Sequence, residues 1–287
     1  MLSRIAAAIA SLPLLLSAAP ATVDNPDPEK VIRDAMAEAV QIPRQAVALI
    51  HLAWPAEPGD SAVAARARAE VVGFGEIGIP FLRTAITQVK PQQQADLVKA
   101  FIEAYRRVPS GMPPDYLAGL EQAAWFGSEE ARRVAIVELA RYRYRQALLT
   151  IMDSAYEFPD LLPLCIYALG KIGDDRARFF LEKHLNEGKA GVSEQAAIGL
   201  AQIGGRALLP LKAALRSGNR SLRQIGARAL LPVAGVDDIS SLHEYVASHP
   251  SDNPETLRAV REATIMLEKI REATEAAASA SSSQSHP

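Results

Sequence analysis

One residue environment returns at a near-constant step along this chain, and that periodicity restricts the fold more than any single motif does. With Ile172 as the anchor, equivalent positions fall at Phe74, Val108, Leu139, Ile203 and Val233, separated by steps of 34, 31, 33, 31 and 30 residues. So regular a step is the signature of a repeat array, in which each unit is one supersecondary element. Three residues before the anchors stand Val71, Tyr105, Ile136, Leu169, Leu200 and Leu230. Four before them the residue is small, at Ala104, Ala135, Ala168, Gly199 and Ala229, with Glu70 the exception. Spacing of three and four puts these side chains on one face of a helix.

A breaker or small residue follows each anchor: Gly75, Pro109, Ala140, Gly173, Gly204 and Ala234. Further on, every copy carries a leucine, at Leu82, Leu117, Leu148, Leu181, Leu211 and Leu242. A second apolar residue then follows a helical turn later, at Ile86, Leu120, Met152, Leu185, Leu215 and Val246. This is the buried face of a second helix. Pro80, Pro114 and Pro210 stand near the starts of second helices, where a missing N–H costs little. Ser128, Asp160, Ser193 and Asn253 are expected as N-caps of first helices.

Each unit therefore reads as a helix, a tight turn and a second helix. One such pair cannot bury both of its faces, and stacked neighbours supply the rest of the core. The expected fold is all-α, an α-solenoid of stacked antiparallel helix pairs over residues 22–272, with about seven pairs including degenerate end units. The first of these runs from Glu29 to Trp54 with Val40 at the anchor. A last helix from Pro254 to about Ala273 reads as a cap, and residues 273–287, rich in Ala and Ser, as a disordered tail.

The stretches ALGKIGDDRARFFLEKHL, Ala168 to Leu185, and GLAQIGGRALLPLKAAL, Gly199 to Leu215, resemble HEAT repeats. The resemblance is particularly to the short HEAT-like type also found in phycobilisome lyases, in which an A-L-G-x-I-G-D turn is typical. Elsewhere the copies drift from that pattern: Tyr142 and Arg143 stand where the best copy has its Asp pair. The resemblance implies a non-catalytic scaffold that binds a protein or peptide. A minority of such arrays take part in chromophore attachment, so the alternative it implies is a lyase-like or other enzyme with active groups on the concave face.

The first 21 residues, MLSRIAAAIASLPLLLSAAPA, have the form of a secretory signal. Arg4 supplies the positive start, Ile5 to Leu16 the apolar core and Ala19-Pro20-Ala21 the cleavage site. This predicts export, in bacterial style, to the periplasm or out of the cell, and no membrane insertion after cleavage. The single cysteine, Cys165, cannot form an internal disulfide, so packing must hold the exported chain together. With 31 basic and 33 acidic residues, no overall field draws it to nucleic acid.

Motifs that suggest chemistry give way on inspection. Gly73-Phe74-Gly75-Glu76-Ile77-Gly78 matches G-x-G-x-x-G, but a dinucleotide site needs a strand before it, and here a helical segment precedes. His243-Glu244 begins like a zinc-binding H-E-x-x-H, yet Ala247 stands at the second histidine position. His51, His184, His249 and His286 lack ligand spacing, Cys165 takes a position where other units have small packing residues, and no nucleophile elbow or phosphate loop occurs. No cofactor, metal or catalytic residue is expected. The partner-binding residues expected on the concave face are Arg83, Lys183, Lys212 and His243, which flank the second-helix leucines and form a mildly basic strip. A secondary patch is the turn Arg141, Tyr142, Arg143, Tyr144 and Arg145, where guanidinium groups alternate with rings.

Overall fold

The computed structural model describes residues 45–55, 60–108, 114–187 and 189–283. The signal segment at residues 1–21, Val40 and most of its degenerate copy lie outside them, as do residues 284–287 of the tail. The chain divides into a small unit, Met1–Ala48, and a large one, Leu49–Pro287. Of the small unit only residues 45–48 are described, and they are helical. The large unit opens with helical residues 49–53 and continues through α1 (Ser61–Gly73), α2 (Ile79–Ala85), α3 (Pro91–Arg106), α4 (Pro114–Phe126), α5 (Glu129–Arg141), α6 (Leu148–Glu157), α7 (Leu162–Ile172), α8 (Arg178–Asn186), α9 (Ala190–Ile203), α10 (Leu209–Leu215), α11 (Arg220–Leu230), α12 (Ile239–Ser248) and α13 (Pro254–Ser283). Short 3-10 turns join several of them, and no strand occurs among the described residues. The protein is all-α.

Packing follows the order of the chain. Each odd-numbered helix lies against the next odd one, from α1 to α13, and each even one against the odd helix that follows it. Val71, Ile136, Leu169, Leu200 and Leu230, three residues before the expected anchors, are all completely buried. So are Leu82, Leu181, Leu211 and Leu242 on the second helices. Burying one such leucine contributes about 1.5–3 kcal/mol. Small residues beside them let helix backbones close up. A Cβ added at Gly170 on α7 would stand 2.5 Å from Gly199 Cα on α9.

The expected register needs correction at particular positions. Val233 is 41% exposed, because α11 ends at Leu230 and a 3-10 turn, Leu231–Val233, turns the side chain outward. Phe74, Val108 and Ile203 are half-buried at their helix ends. On α4 the core position belongs to Tyr116 with Leu120, while Leu117 is half-buried; on α6 Ile151 replaces Met152. A shift of one residue turns a helix by about 100°.

Ser128 and Asn253 do cap, accepting hydrogen bonds from Ala131 N at 3.4 Å and Glu255 N at 2.9 Å. Asp160 does not, since it lies inside a 3-10 turn, Pro159–Leu161. Nor does Ser193: α9 begins earlier, at Ala190, and the buried Ser193 Oγ donates to the His184 carbonyl at 3.2 Å. α13 continues to Ser283, past residue 273 where the tail is expected to begin. Alanine is the strongest helix former, and no Gly or Pro interrupts the run before Pro287.

Candidate functional interface

The residues expected to form a basic strip are placed on α2, α8, α10 and α12, where three of them meet carboxylates of the fold. Lys183 Nζ lies 3.9 Å from Glu187 and 5.1 Å from the centre of the Tyr156 ring. Lys212 is ion-paired to the buried Asp238 of the turn before α12, and His243 Nε2 lies 3.5 Å from Glu268 on α13. The ammonium groups of Lys183 and Lys212 thus meet carboxylates of the protein itself. Arg83 is half-buried and lines a shallow hollow with Pro80, Thr84, Thr87 and Gln122.

In the turn after α5, rings and guanidinium groups separate. Tyr142 packs edge-on against Tyr105 and Tyr116, whose own rings stack at 3.8 Å, and half-buried Tyr144 packs on the core. Burial, with Glu138 beside it, pushes the Tyr116 hydroxyl far above its ordinary range. These tyrosines join neighbouring helices. Arg141, Arg143 and Arg145 are exposed. Arg141 lies 3.7 Å from Glu138, and Arg145 3.9 Å from Asp174. Arg143 has no carboxylate partner among the described residues and takes a left-handed conformation, φ 50°. Its N–H donates to Ala140 O at 3.0 Å and the Tyr144 N–H to Leu139 O at 3.1 Å, the two bonds that close a helix C-terminus on a left-handed residue. In the next unit glycine fills this place, as Gly173 with φ 72°, so Tyr144 and Arg145, rather than the expected Tyr142 and Arg143, take the places that Asp174 and Asp175 hold there.

Next to Arg145, three successive turns line one cleft of about 420 Å³: the Arg145 turn, the Gly173-Asp174-Asp175 turn, and Ile203 to Arg206. In the middle turn Asp174 accepts from Arg176 N at 3.0 Å and from Arg176 Nη2 at 2.8 Å. These hydrogen bonds, helped by Arg145, hold its carboxyl down to about 2. Asp175 lies 3.8 Å from Arg178. The third turn has Gly204 where the second has Asp174, so no side chain caps it, and Arg206 stands exposed without a carboxylate partner among the described residues.

The helices that leave these turns begin with exposed apolar side chains. Leu149 on α6, Phe179 on α8 and Leu209 on α10 are 65%, 69% and 55% exposed and thirty residues apart in sequence. The Arg178 guanidinium lies 4.4 Å from the centre of the Phe179 ring. Tyr156 near the end of α6 meets Phe180 near the start of α8 edge-on at 5.5 Å. None of Leu149, Phe179 and Leu209 is among the expected binding positions. The signal of this row is the doubled apolar pair at each second-helix start, Leu148-Leu149, Phe179-Phe180 and Leu208-Leu209, of which an amphipathic helix needs only one member for the core.

Cys165 is completely buried, its thiol pushed up to about 12 by burial. The G-x-G-x-x-G stretch follows α1 and contains a 3-10 turn, Gly75–Ile77, in which Gly75 takes φ 53°. No group of His, Cys, Asp and Glu among the described residues is placed to hold a metal ion, and no described helix is long and apolar enough to cross a membrane. The chain matches no protein-family model and no curated protein significantly.

Proposed function

We propose that this chain is an exported, HEAT-like α-solenoid that serves as a non-catalytic scaffold for a protein or peptide partner. The observation that carries the reading is the row Leu149, Phe179 and Leu209, three large apolar side chains left in water at equivalent places on successive second helices. Scattered exposed apolar residues are ordinary, but a repeated one next to arginines has the composition of an interface core. Two further features support it. Odd helices stack on odd helices through six units of regular step, as a repeat array requires. The N-terminal 21 residues have the form of an export signal, which supports a periplasmic or secreted working chain.

The test is capture from periplasmic extract by the tagged chain and by its Leu149→Ser, Phe179→Ser, Leu209→Ser variant. These positions are exposed, so the variant keeps its helix content and stability within about 0.5 kcal/mol per site. Partners retained by the parent and lost by the variant support the reading. Identical retention by both overturns it.

A further inference from the structure

We propose that the cleft between the Asp174 and Gly204 turns receives an acidic side chain of the bound segment, whose apolar neighbours lie on Phe179 and Leu209. This inference rests on the scaffold reading and specifies its partner: a peptide segment in which a carboxylate is flanked by large apolar residues. Two successive turns of the protein differ in how their arginines are met. In the first, the chain supplies its own carboxylate, since Asp174 caps the turn and engages both Arg176 and Arg145. In the second, Gly204 offers no side chain and Arg206 is left without that partner. A carboxylate from outside fits the position that the fold fills for itself one unit earlier.

Charge at the cleft points the same way. Of the charged residues lining the cleft, Asp174 is engaged by Arg176 and Arg145 and Asp175 by Arg178, which leaves Arg206 as a lining guanidinium with no carboxylate partner among the described residues. Arg143, on the same turn as Arg145, adds a further exposed guanidinium and holds it in a conformation that glycine would occupy without strain. Arginine suits the task, because its planar fork matches a carboxylate in two parallel hydrogen bonds. Phe179 and Leu209 begin the helices that follow the two turns, so charge and apolar surface adjoin.

The experiment is selection of random dodecapeptides displayed on phage against the purified chain, followed by titration of labelled winners. Enrichment of sequences with Asp or Glu beside Leu, Ile or Phe is the expected result. Arg206→Glu, at an exposed position, should weaken those peptides about tenfold or more with unchanged circular dichroism. Enriched peptides with no acidic preference, or with affinity indifferent to Arg206→Glu, overturn this inference and leave the scaffold reading standing. Absence of any enriched peptide counts against the scaffold reading itself. Binding to phosphatidylglycerol vesicles in place of peptides assigns the cleft to a lipid surface and overturns the proposal.

Discussion

Gly170 and Gly199 face each other across the α7–α9 contact so closely that a methyl group on Gly170 would stand 2.5 Å from the Gly199 backbone. Side-chain-free contact of this kind fixes the separation of neighbouring units. Gly170→Ala should therefore cost about 1–3 kcal/mol, as overpacking does. Gly191, with nothing within 4 Å of its Cβ position, is the control. There alanine should be neutral or stabilising by up to about 1 kcal/mol. Urea unfolding of both variants decides; equal midpoints would mean that α7 and α9 do not approach as described.

Leu181 is completely buried, and its Cδ1 lies 3.1 Å from where a Gly199 Cβ would be. Leu181→Ala should lose about 2–5 kcal/mol. Val233→Ala, at an exposed site, should lose under about 0.5 kcal/mol. A reversed order would return Val233 to the core and refute the corrected register.

Much of this fold is legible in the sequence because three-and-four spacing is a local property of a helix. Leu169 and Leu200 could be placed from it without knowledge of their neighbours. Helix ends were less legible: Val233 and Ser193 depend on where a 3-10 turn or a first helical turn begins, which a residue or two decides. The interface was less legible still. Lys212 and His243 looked like free charge because Asp238 and Glu268 come from other elements, and pairing across units leaves no local trace. Leu149, Phe179 and Leu209 were hidden by their core neighbours, since Leu148 or Phe180 satisfies the helix pattern alone.

Acid should weaken the protein through Asp174 and Asp252. Hydrogen bonds from Arg176 hold Asp174 down to about 2, and those from Arg223, at 2.6 and 2.8 Å, hold Asp252 below the usual carboxylate range. An unfolded aspartate titrates near about 3.9. Folded values below the unfolded one contribute stability that is complete above about pH 4 and is lost as pH falls toward about 2. Thermal midpoints between pH 7 and pH 2 should drop mainly in that window. Asp174→Asn should lower the midpoint at pH 7 and shrink the drop; an undiminished drop would assign the acid sensitivity elsewhere.

Arg143→Gly separates strain from use. Relief of the left-handed arginine is worth about 1–2 kcal/mol, offset by about 0.4–1 kcal/mol from the freer unfolded chain. The net should be a gain of about 0–1.6 kcal/mol. Binding of an acidic peptide should weaken at the same time. Greater stability with full affinity would place Arg143 outside the interface.

Cys165 should resist thiol reagents in the folded protein. It is completely buried and its thiol is pushed up to about 12, so almost no thiolate forms at neutral pH. Mass spectrometry after iodoacetamide should show modification only in denaturant. Rapid labelling of the native chain would contradict the packing of α7.

The central claim is that successive second helices present a working surface at Leu149, Phe179 and Leu209. Its most direct measurement is photo-crosslinking in the native host, with benzoylphenylalanine placed singly at each of these positions and, as a control, at the exposed Ile265 of α13. The account predicts a discrete adduct of the same mass from positions 149, 179 and 209 and none from 265. Adducts from 265 alone, or from none of the three, would contradict it.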